Sequence, residues 1–339
     1  MPSIVTIQEF LKHAETLPIL DVRTPSEFNQ GHIPGAVNLP LFSDEQRKVV
    51  GTIYKQQGKQ AAVLKGLEFV GPRLKELILS ANKLNKGERF LVHCWRGGMR
   101  SSSISWLLET YGLKTFVLKG GYKSYRNFVL NIFNEAQNIL ILGGRTGAAK
   151  TLLLYKLQEQ GEQIIDLEKL ANHKGSSFGS LGENKQPSQE SFENELAAAL
   201  FTVKKEKTVW LEDESRMVGQ KVIPAALWEQ MREAKVVYLD IPFNERVNYL
   251  VKEYGKFTKE ELIESTSRIS KRLGGQHAKQ AIEAIQHGDL KTACGINLAY
   301  YDKAYDFGIA KRAPENIIRY SFEHLDHEKI INEIIQLSK

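Results

Sequence analysis

The sequence predicts an α/β protein with two parallel-sheet domains followed by a helical region. Two short apolar runs typical of buried strands, 90–92 and 139–142, each lead through a glycine-containing loop into an apolar-periodic helix. From residue 244 onward the apolar periodicity is helical. The predicted organisation is a first domain over residues 1–134, a second over 135–243, and a helical region over 244–339 packed on the second domain.

Composition limits the class of protein. The chain has 339 residues, of which 42% are hydrophobic and 25% charged, as in ordinary soluble proteins large enough for two domains. No basic start precedes an apolar core at the N-terminus, and no apolar run approaches the ~20 residues of a membrane helix, so neither a signal peptide nor a membrane span is predicted. Two cysteines exclude a disulfide framework and fit a reducing, cytoplasmic location. A net charge of +6 permits a polyanionic partner.

The first ninety residues predict short strands separated by turns and helices. Residues 18–23 form a strand, and Thr24 caps a helix that begins at Pro25. Residues 31–40 form a turn that leads into a second strand, and 41–87 have helical periodicity. Four polar residues are expected to form turn hydrogen bonds and a local ion pair rather than to take part in catalysis: Asp21, Arg23, Glu27 and His32.

The segment 91–103 contains the strongest chemical signal. A strand leads to Cys94, the loop crosses two glycines, and a helix begins near Ser101. Backbone N–H groups, the helix N-terminus and two arginines would together bind an oxyanion and lower the pKa of Cys94 from about 8.5 to roughly 3.5–7.5. The residues of this predicted anion cradle are Arg96, Gly97, Gly98 and Arg100. We therefore predict that Cys94 is a thiolate nucleophile rather than a small buried hydrophobic residue.

A second anion site is predicted where the strand at 139–142 enters the segment 143–151, Gly-Gly-Arg-Thr-Gly-Ala-Ala-Lys-Thr. Strand, loop and helix resemble the Walker A phosphate loop (P-loop) in sequence and in context. The residues predicted to hold a diphosphate, or its metal, are Gly144, Gly147, Lys150 and Thr151. Ala149 replaces the second glycine of the pattern, and its methyl group is expected to crowd a phosphate.

Acidic and glycine-rich segments follow the phosphate loop. Residues 208–216 predict a strand ending in acids, where Asp213, or alternatively Glu212, would hold Mg²⁺ or orient a water; an exposed acidic strand end is the other interpretation. The segment 173–179 is rich in glycine and hydroxyls, and is either a functional loop near the phosphate site or an ordinary surface loop. Two further strands of the same sheet are predicted at 164–166 and 236–240.

The helical region combines basic residues with three tyrosines, Tyr300, Tyr301 and Tyr305. This composition fits either a surface for a phosphate backbone, with aromatics that stack on unpaired bases, or a solvated helix face over core tyrosines. A capping box at Thr258 predicts the start of one helix. Cys294 lies in an apolar-to-small run and is expected to be inert packing.

Three segments of the first domain resemble the rhodanese (sulfurtransferase) domain: Leu-Asp-Val-Arg at 20–23, Gly-His-Ile-Pro-Gly-Ala-Val-Asn at 31–38, and Leu-Lys-Gly-Gly-Tyr at 118–122. The resemblance implies a parallel sheet with helices on both faces, and it assigns the catalytic cysteine to Cys94. The pattern His-Cys-x5-Arg-Ser at 93–101 also fits cysteine phosphatases, which use the same thiolate and oxyanion chemistry. The paired glycines of the loop and the domain that follows favour chalcogen transfer.

The combination of motifs resembles the bacterial tRNA 2-selenouridine synthases. The segments that carry this resemblance are 93–101, 143–151, 173–179 and Gln-Pro-Ser-Gln at 186–189. The resemblance implies an enzyme that replaces the sulfur of 2-thiouridine at the tRNA wobble position with selenium from selenophosphate, through an S-geranyl intermediate made from geranyl diphosphate. It implies that Cys94 carries selenium as S-selanylcysteine, that the anion cradle binds selenophosphate or the released phosphate, and that the phosphate loop binds geranyl diphosphate.

The same residues leave other functions open. One is a cysteine phosphatase or sulfurtransferase of the rhodanese fold. Another is a regulatory binding module, in which a sulfur- or phosphate-sensing domain is joined to a P-loop switch. The predicted partners of the leading interpretation are tRNA, selenophosphate and geranyl diphosphate, with Mg²⁺ as a candidate cofactor.

Overall fold

A computed structural model of the chain describes residues 2–84 and 87–338. The chain forms two compact units, one of residues 1–132 and 193–198, the other of residues 133–192 and 199–339. Each unit has its own five-stranded parallel sheet, so the predicted fold class, two α/β domains with a mainly helical C-terminal region, is confirmed. The three-part division predicted at 134/135 and 243/244 stays a prediction. Among the described residues, no helix combines the length and the apolar character needed to cross a bilayer.

The first unit contains the cysteine loop. Its strands are β1 (Ser3–Val5), β2 (Ile19–Asp21), β3 (Ala36–Asn38), β4 (Arg89–His93) and β5 (Lys114–Leu118). Its helices are α1 (Ile7–Ala14), α2 (Pro25–Gln30), α3 (Asp44–Gln57), α4 (Lys59–Val70), α5 (Leu74–Leu84), α6 (Met99–Thr110) and α7 (Gly121–Ile132), with a 3-10 helix at Gly71–Arg73. The strands pair in the order β1-β5-β4-β2-β3, and all are parallel.

The sequence explains why the cysteine loop lies at the centre of this sheet. Strand β4 is a fully buried run, since Phe90, Leu91 and Val92 have no exposed surface. The carboxyl end of β4 therefore lies between those of β2 and β5, the position where open α/β sheets bind ligands. The predicted cap of α2 is confirmed, because the Thr24 and Glu27 side chains bond each other's backbone N–H groups and Pro25 is the first helical residue.

The second unit contains the phosphate loop. Its strands are β6 (Ile139–Gly144), β7 (Gln163–Ile165), β8 (Val209–Glu212), β9 (Met217–Val218), β10 (Lys221–Val222), β11 (Lys235–Asp240) and β12 (Ile317–Ser321). Its helices are α8 (Lys150–Glu159), α9 (Leu167–Ala171), α10 (Gln189–Thr202), α11 (Ala225–Glu233), α12 (Phe243–Tyr254), α13 (Lys259–Arg268), α14 (Ser270–Leu273), α15 (Gly275–His287), α16 (Leu290–Ile309) and α17 (His327–Ile334), with 3-10 helices at Pro314–Asn316 and Ile335–Ser338. Residues 193–198 of α10 are counted with the first unit.

The parallel sheet of the second unit has the order β12-β11-β6-β8-β7, and β9 and β10 form a separate antiparallel pair. The strands predicted near 139, 164, 208 and 236 are confirmed. The expectation that the chain is helical from 244 to its end is wrong at one place, because β12 joins the sheet edge beside β11. A five-residue strand at a half-buried edge is too short to show its own periodicity between long helices.

Candidate functional site

Cys94 lies directly after β4, at the carboxyl edge of the first sheet, and only 3% of its surface is exposed. The main chain of the loop is held by the start of α7. The Tyr122 N–H donates to the Cys94 carbonyl oxygen at 2.8 Å, and the Lys123 N–H donates to that of Trp95 at 3.0 Å. The segment 118–122 therefore helps to fix the position of the cysteine.

Two glycines allow this close approach of main chain to main chain. A Cβ added at Gly121 would lie 2.3 Å from the Cys94 carbonyl oxygen and 2.4 Å from the Gly97 nitrogen. Gly97 has a φ of 65°, and a Cβ there would lie 2.8 Å from the Leu118 carbonyl oxygen. Any side chain at either position would displace the cysteine loop.

Hydrogen-bond donors surround the sulfur. The Cys94 Sγ lies 3.3 Å from the Ser101 Oγ, at the start of α6. Burial alone would raise the pKa of the Cys94 thiol. Hydrogen bonds from the Ser101 hydroxyl and from the backbone N–H groups of Ser101 and Arg96, with the positive charge of Arg100, outweigh burial and hold the pKa below its usual value. This arrangement favours a thiolate nucleophile.

The two arginines of the predicted cradle occupy different positions. The Arg100 guanidinium donates to both carboxylate oxygens of Glu27, at 2.6 and 3.2 Å, and is mostly buried. The Arg96 residue is exposed, and its backbone N–H is the group that reaches the sulfur. Glu27, predicted to have only a local structural role, therefore also holds Arg100.

A buried ion pair lies beneath the loop. The Asp21 and Arg23 side chains are fully buried and joined by a 2.6 Å contact, as the predicted local ion pair required. The Arg23 guanidinium also covers the Tyr122 ring at 3.7 Å. Burial lowers the pKa of His93 to about 4, so the ring is neutral at physiological pH. These groups support the loop without facing a ligand.

The phosphate loop of the second unit runs from β6 to α8. Ala149 has a φ of 55°, so this position keeps the left-handed conformation that the missing glycine would have adopted. The Lys150 ammonium donates to the Gly144 carbonyl oxygen at 3.1 Å. The Gly144 N–H donates to the Tyr305 hydroxyl at 2.8 Å. Gly147, Lys150 and Thr151 line a cavity of about 1240 Å³.

Three glutamates lie beside this loop. Glu168, Glu212 and Glu214 bring carboxylate oxygens within 4.8 Å of one another. The Thr151 hydroxyl donates to Glu168 at 3.2 Å. Burial raises the pKa of all three acids, and the neighbouring carboxylates raise it further. The Glu212 Oε1 atom is buried and has no hydrogen-bond partner among the described residues. Hard oxygen donors with one unsatisfied oxygen suit a divalent cation such as Mg²⁺.

Comparison with known proteins identifies the family. Residues 137–330 match a family model described as the tRNA 2-selenouridine synthase AAA domain, and residues 6–128 match the rhodanese-like domain. The tRNA 2-selenouridine synthase of Shewanella frigidimarina is 35% identical over 335 residues, which cover 88% of this chain and 90% of that protein. The chain belongs to the tRNA 2-selenouridine synthase family.

Other members of the tRNA 2-selenouridine synthase family match over similar or shorter lengths. The Sulfurovum sp. synthase is 35% identical, with coverage of 91% of this chain and 93% of that protein. The Nitrosomonas europaea synthase is 38% identical over 246 residues, which cover 70% of this chain and 63% of that protein. The predicted resemblance to this family is therefore confirmed.

In this member of the 2-selenouridine synthase family, Asp213 is the acid predicted from the sequence to hold or orient a metal. The acids that the structure places beside the phosphate loop are three glutamates. The Asp213 carboxylate pairs with Arg312 at 2.7 Å and accepts from the Tyr305 hydroxyl at 2.8 Å. Its role as a metal orienter stays a prediction, while Glu168, Glu212 and Glu214 lie nearer to Thr151 and Lys150. Sequence analysis named Glu212 only as an alternative. Glu168 and Glu214, which were not predicted as site residues, each lie within three residues of the end of a strand. This position becomes informative only when the order of the strands in the sheet is known.

The segment 173–179 lies against two of the three glutamates, Glu168 and Glu214. A Cβ at Gly175 would lie 2.6 Å from a Glu214 carboxylate oxygen and 3.0 Å from one of Glu168. The Ser177 N–H donates to the Tyr301 hydroxyl at 3.2 Å. Of the two sequence interpretations of this segment, its position beside the phosphate loop fits the functional one. Tyr300, Tyr301 and Tyr305 are partly buried and line the cavity over the phosphate loop, and their stacking on bases stays a prediction.

Proposed function

We propose that this chain is a tRNA-modifying selenotransferase that replaces the sulfur of wobble 2-thiouridine with selenium from selenophosphate. Membership of the family supports the tRNA-modifying activity. The observation that carries the assignment of the nucleophile is the Cys94 sulfur, set among the backbone N–H groups of Arg96 and Ser101 and near Arg100. We propose that the Cys94 thiolate is the nucleophile of the selenium step and that the chain acts in the cytoplasm; the S-selanylcysteine implied by the resemblance would need a two-electron oxidant, because selenophosphate supplies selenium at the selenide level.

The second half of the proposal concerns geranyl diphosphate. A thiocarbonyl sulfur is a poor leaving group, and alkylation converts it into a good one. The sulfur of 2-thiouridine bonds to the first carbon of the geranyl group as diphosphate departs. The uridine carbon then bonds to selenium, its bond to sulfur breaks, and the geranyl thiol leaves. The selenium is that of selenophosphate, so the uridine carbon becomes linked through selenium to phosphorus. The Cys94 thiolate attacks that phosphorus and breaks the selenium–phosphorus bond, which releases 2-selenouridine, and water then hydrolyses the phosphocysteine to phosphate and the free thiol. Gly147, Lys150 and Thr151 are the residues proposed to bind the departing diphosphate.

Mg²⁺ is proposed as the cofactor of this second site. Glu168, Glu212 and Glu214, with the Thr151 hydroxyl, would hold it. When bound, the ion would neutralise negative charge on the diphosphate as that group leaves. The residues of the chain itself contribute the Lys150 ammonium and the amides at the start of α8.

The experiment that tests this function is nucleoside mass spectrometry of tRNA from cells that lack the gene and carry a plasmid copy. We expect Cys94→Ser to abolish 2-selenouridine while S-geranyl-2-thiouridine accumulates, because only the selenium step needs the thiolate. We expect Lys150→Ala to remove both products, since geranylation comes first.

The matched controls lie on the helix that follows the Cys94 loop and on the helix that begins at Lys150. Ser103 is exposed on α6, and Lys156 lies on α8 in an ion pair with Glu328, so Ser103→Ala and Lys156→Ala should leave both nucleosides unchanged. Unchanged nucleosides after deletion of the gene would refute the proposed function. Turnover of an aryl phosphate that Cys94→Ser abolishes would then support the phosphatase alternative.

A further inference from the structure

An apolar recess lies behind the phosphate loop in the second unit. Its wall is formed mainly by hydrocarbon and aromatic side chains, among them Phe178, Leu262, Ile285, Leu290, Ala293 and Cys294. These residues belong to a helical cluster that packs around the segment 173–179. The recess itself is narrow, about 30 Å³, whereas the cavity over the phosphate loop measures about 1240 Å³.

The recess and the larger cavity share one wall. Five residues line both spaces: Thr146, Ser176, Leu250, Tyr254 and Tyr301. Lys150 and Thr151 line the larger cavity, so the anion site and the apolar recess are adjacent spaces that share these five lining residues. Ligand sites commonly combine such an apolar surface with a few fixed polar groups.

The tyrosines of the shared wall present rings rather than free hydroxyls. The Tyr301 hydroxyl accepts from the Ser177 N–H at 3.2 Å, and the Ser176 side chain hydrogen-bonds the Tyr254 hydroxyl. Because the loop 173–179 satisfies both hydroxyls, the surface left for a ligand is aromatic. A hydrocarbon chain loses little by binding along these rings, and the recess also contains one buried polar atom without a partner among the described residues, the Asn297 Oδ1.

Helix α16 lines the recess at one end and hydrogen-bonds to the phosphate loop, directly and through Arg246, further along. One end of this helix contributes Ala293 and Cys294 to the recess. Further along, its Asp302 pairs with the buried Arg246, whose guanidinium also donates to the Thr146 carbonyl oxygen at 3.0 Å. Asp306 pairs with Arg145 of the loop at 2.9 Å. These bonds hold the apolar site at a set distance from the anion site.

We propose that the hydrocarbon chain of a prenyl diphosphate runs from the phosphate loop along Leu250, Tyr254 and Tyr301 and places its far end in the recess beside Cys294. This inference rests on the proposed function and adds to it the position of the chain. A narrow recess closed by Ile285 and Ala293 accepts only the end of a chain. The size of the recess therefore limits the length of the prenyl chain that can bind, and a short prenyl group binds in preference to a longer one.

Calorimetric titration of the full-length protein tests this position. The probes are inorganic diphosphate and dimethylallyl, geranyl and farnesyl diphosphates. We expect geranyl diphosphate to bind at least about tenfold more tightly than dimethylallyl diphosphate, because the added carbons become buried. Cys294→Phe should reduce that preference to about twofold and leave the affinity for inorganic diphosphate unchanged. Leu290→Ala should improve farnesyl binding relative to geranyl binding by about fivefold.

The control is Ala299→Phe, an exposed position on the same helix, which should bind all four probes as the parent chain does. A Cys294→Phe protein that keeps the full preference for geranyl diphosphate overturns the assigned position and leaves the proposed function intact. A parent chain that binds geranyl diphosphate no better than inorganic diphosphate overturns the geranyl step and the recess together.

A second measurement needs no substitution that fills the recess. The chain has two cysteines, so mass spectrometry distinguishes modification of Cys294 by N-ethylmaleimide from modification of Cys94. We expect geranyl diphosphate to slow modification of Cys294 about tenfold and inorganic diphosphate to leave it unchanged. If geranyl diphosphate binds but does not slow the modification of Cys294 by N-ethylmaleimide, the proposal is overturned.

Discussion

At the scale of single residues, the reactivity of Cys94 depends on hydrogen bonds rather than on exposure. The sulfur is almost wholly buried, a location that raises a thiol pKa, yet donors from Ser101 and Arg96 and the charge of Arg100 lower it. The thiolate fraction rises as pH passes upward through the pKa, so a lowered pKa gives Cys94 a larger thiolate fraction at neutral pH than an ordinary thiol has.

Removing one donor should reverse part of this effect. We expect Ser101→Ala to raise the pKa of Cys94 and to move its profile of alkylation by iodoacetamide to higher pH, with the rate at pH 7 lowered about fivefold. The rate is followed by mass spectrometry of the Cys94 peptide. Ser103→Ala, two residues further along α6 and exposed, should keep the parent profile. An unshifted profile in Ser101→Ala would show that the hydroxyl does not stabilise the thiolate.

At the scale of elements, the strands bring distant acids to one loop. Glu212 ends β8, Glu214 follows it, and Glu168 follows β7, and the adjacent strands bring all three to the start of α8. Without a cation, the raised pKa values of these three carboxyl groups mean that the folded unit is less stable at neutral pH than at a pH where all three are protonated. A divalent ion bound by these three carboxylates should therefore increase the free energy of unfolding of the unit.

The test is thermal unfolding with EDTA or with Mg²⁺. We expect Glu212→Gln to raise the midpoint in EDTA by about 3 °C, roughly 1 kcal/mol for a unit of this size, and to abolish the rise caused by Mg²⁺. Glu206→Gln, an exposed position before β8, should respond to Mg²⁺ like the parent chain. A full Mg²⁺ response in Glu212→Gln would exclude this cluster as the metal site.

Local elements were predictable where their signal is contiguous in the sequence. The cysteine loop and the phosphate loop are each a strand, a glycine-containing turn and a helix within about twenty residues, and both form as predicted. Strand β12 and the contact of Tyr305 with Gly144 were missed, because they join segments that lie 81 and 161 residues apart in the sequence. The positive φ of Ala149 was not predicted, since only the structure shows it, and the expected crowding of a phosphate by its methyl group stays a prediction.

At the scale of the whole molecule, the proposed chemistry is divided between two units of one chain. Cys94 lies in the first unit, and Lys150 lies in the second. If the S-geranyl tRNA is a covalent product that leaves one protein and binds another, the two steps need not occur on the same chain.

Mixing two inactive variants tests this division. We expect Cys94→Ser and Lys150→Ala proteins, each without 2-selenouridine synthesis alone, to restore it together when incubated with tRNA, selenophosphate and geranyl diphosphate. The readout is nucleoside mass spectrometry. The matched control mixes Lys150→Ala with the double variant, which lacks both groups and should give no product. Absence of product in the first mixture would mean that the geranylated tRNA stays on one chain.

The contact between the backbone at Gly97 and the backbone at Gly121 has a practical consequence for redesign. Contacts between main-chain groups at Gly97 and Gly121 position the sulfur. The exposed side chains of Arg96 and Met99 therefore do not determine the shape of the turn. An engineer who wants the pocket to accept a bulkier donor can randomise these two positions and leave both glycines untouched. Variants from such a library could be screened for new substrates while the position of the Cys94 sulfur is kept.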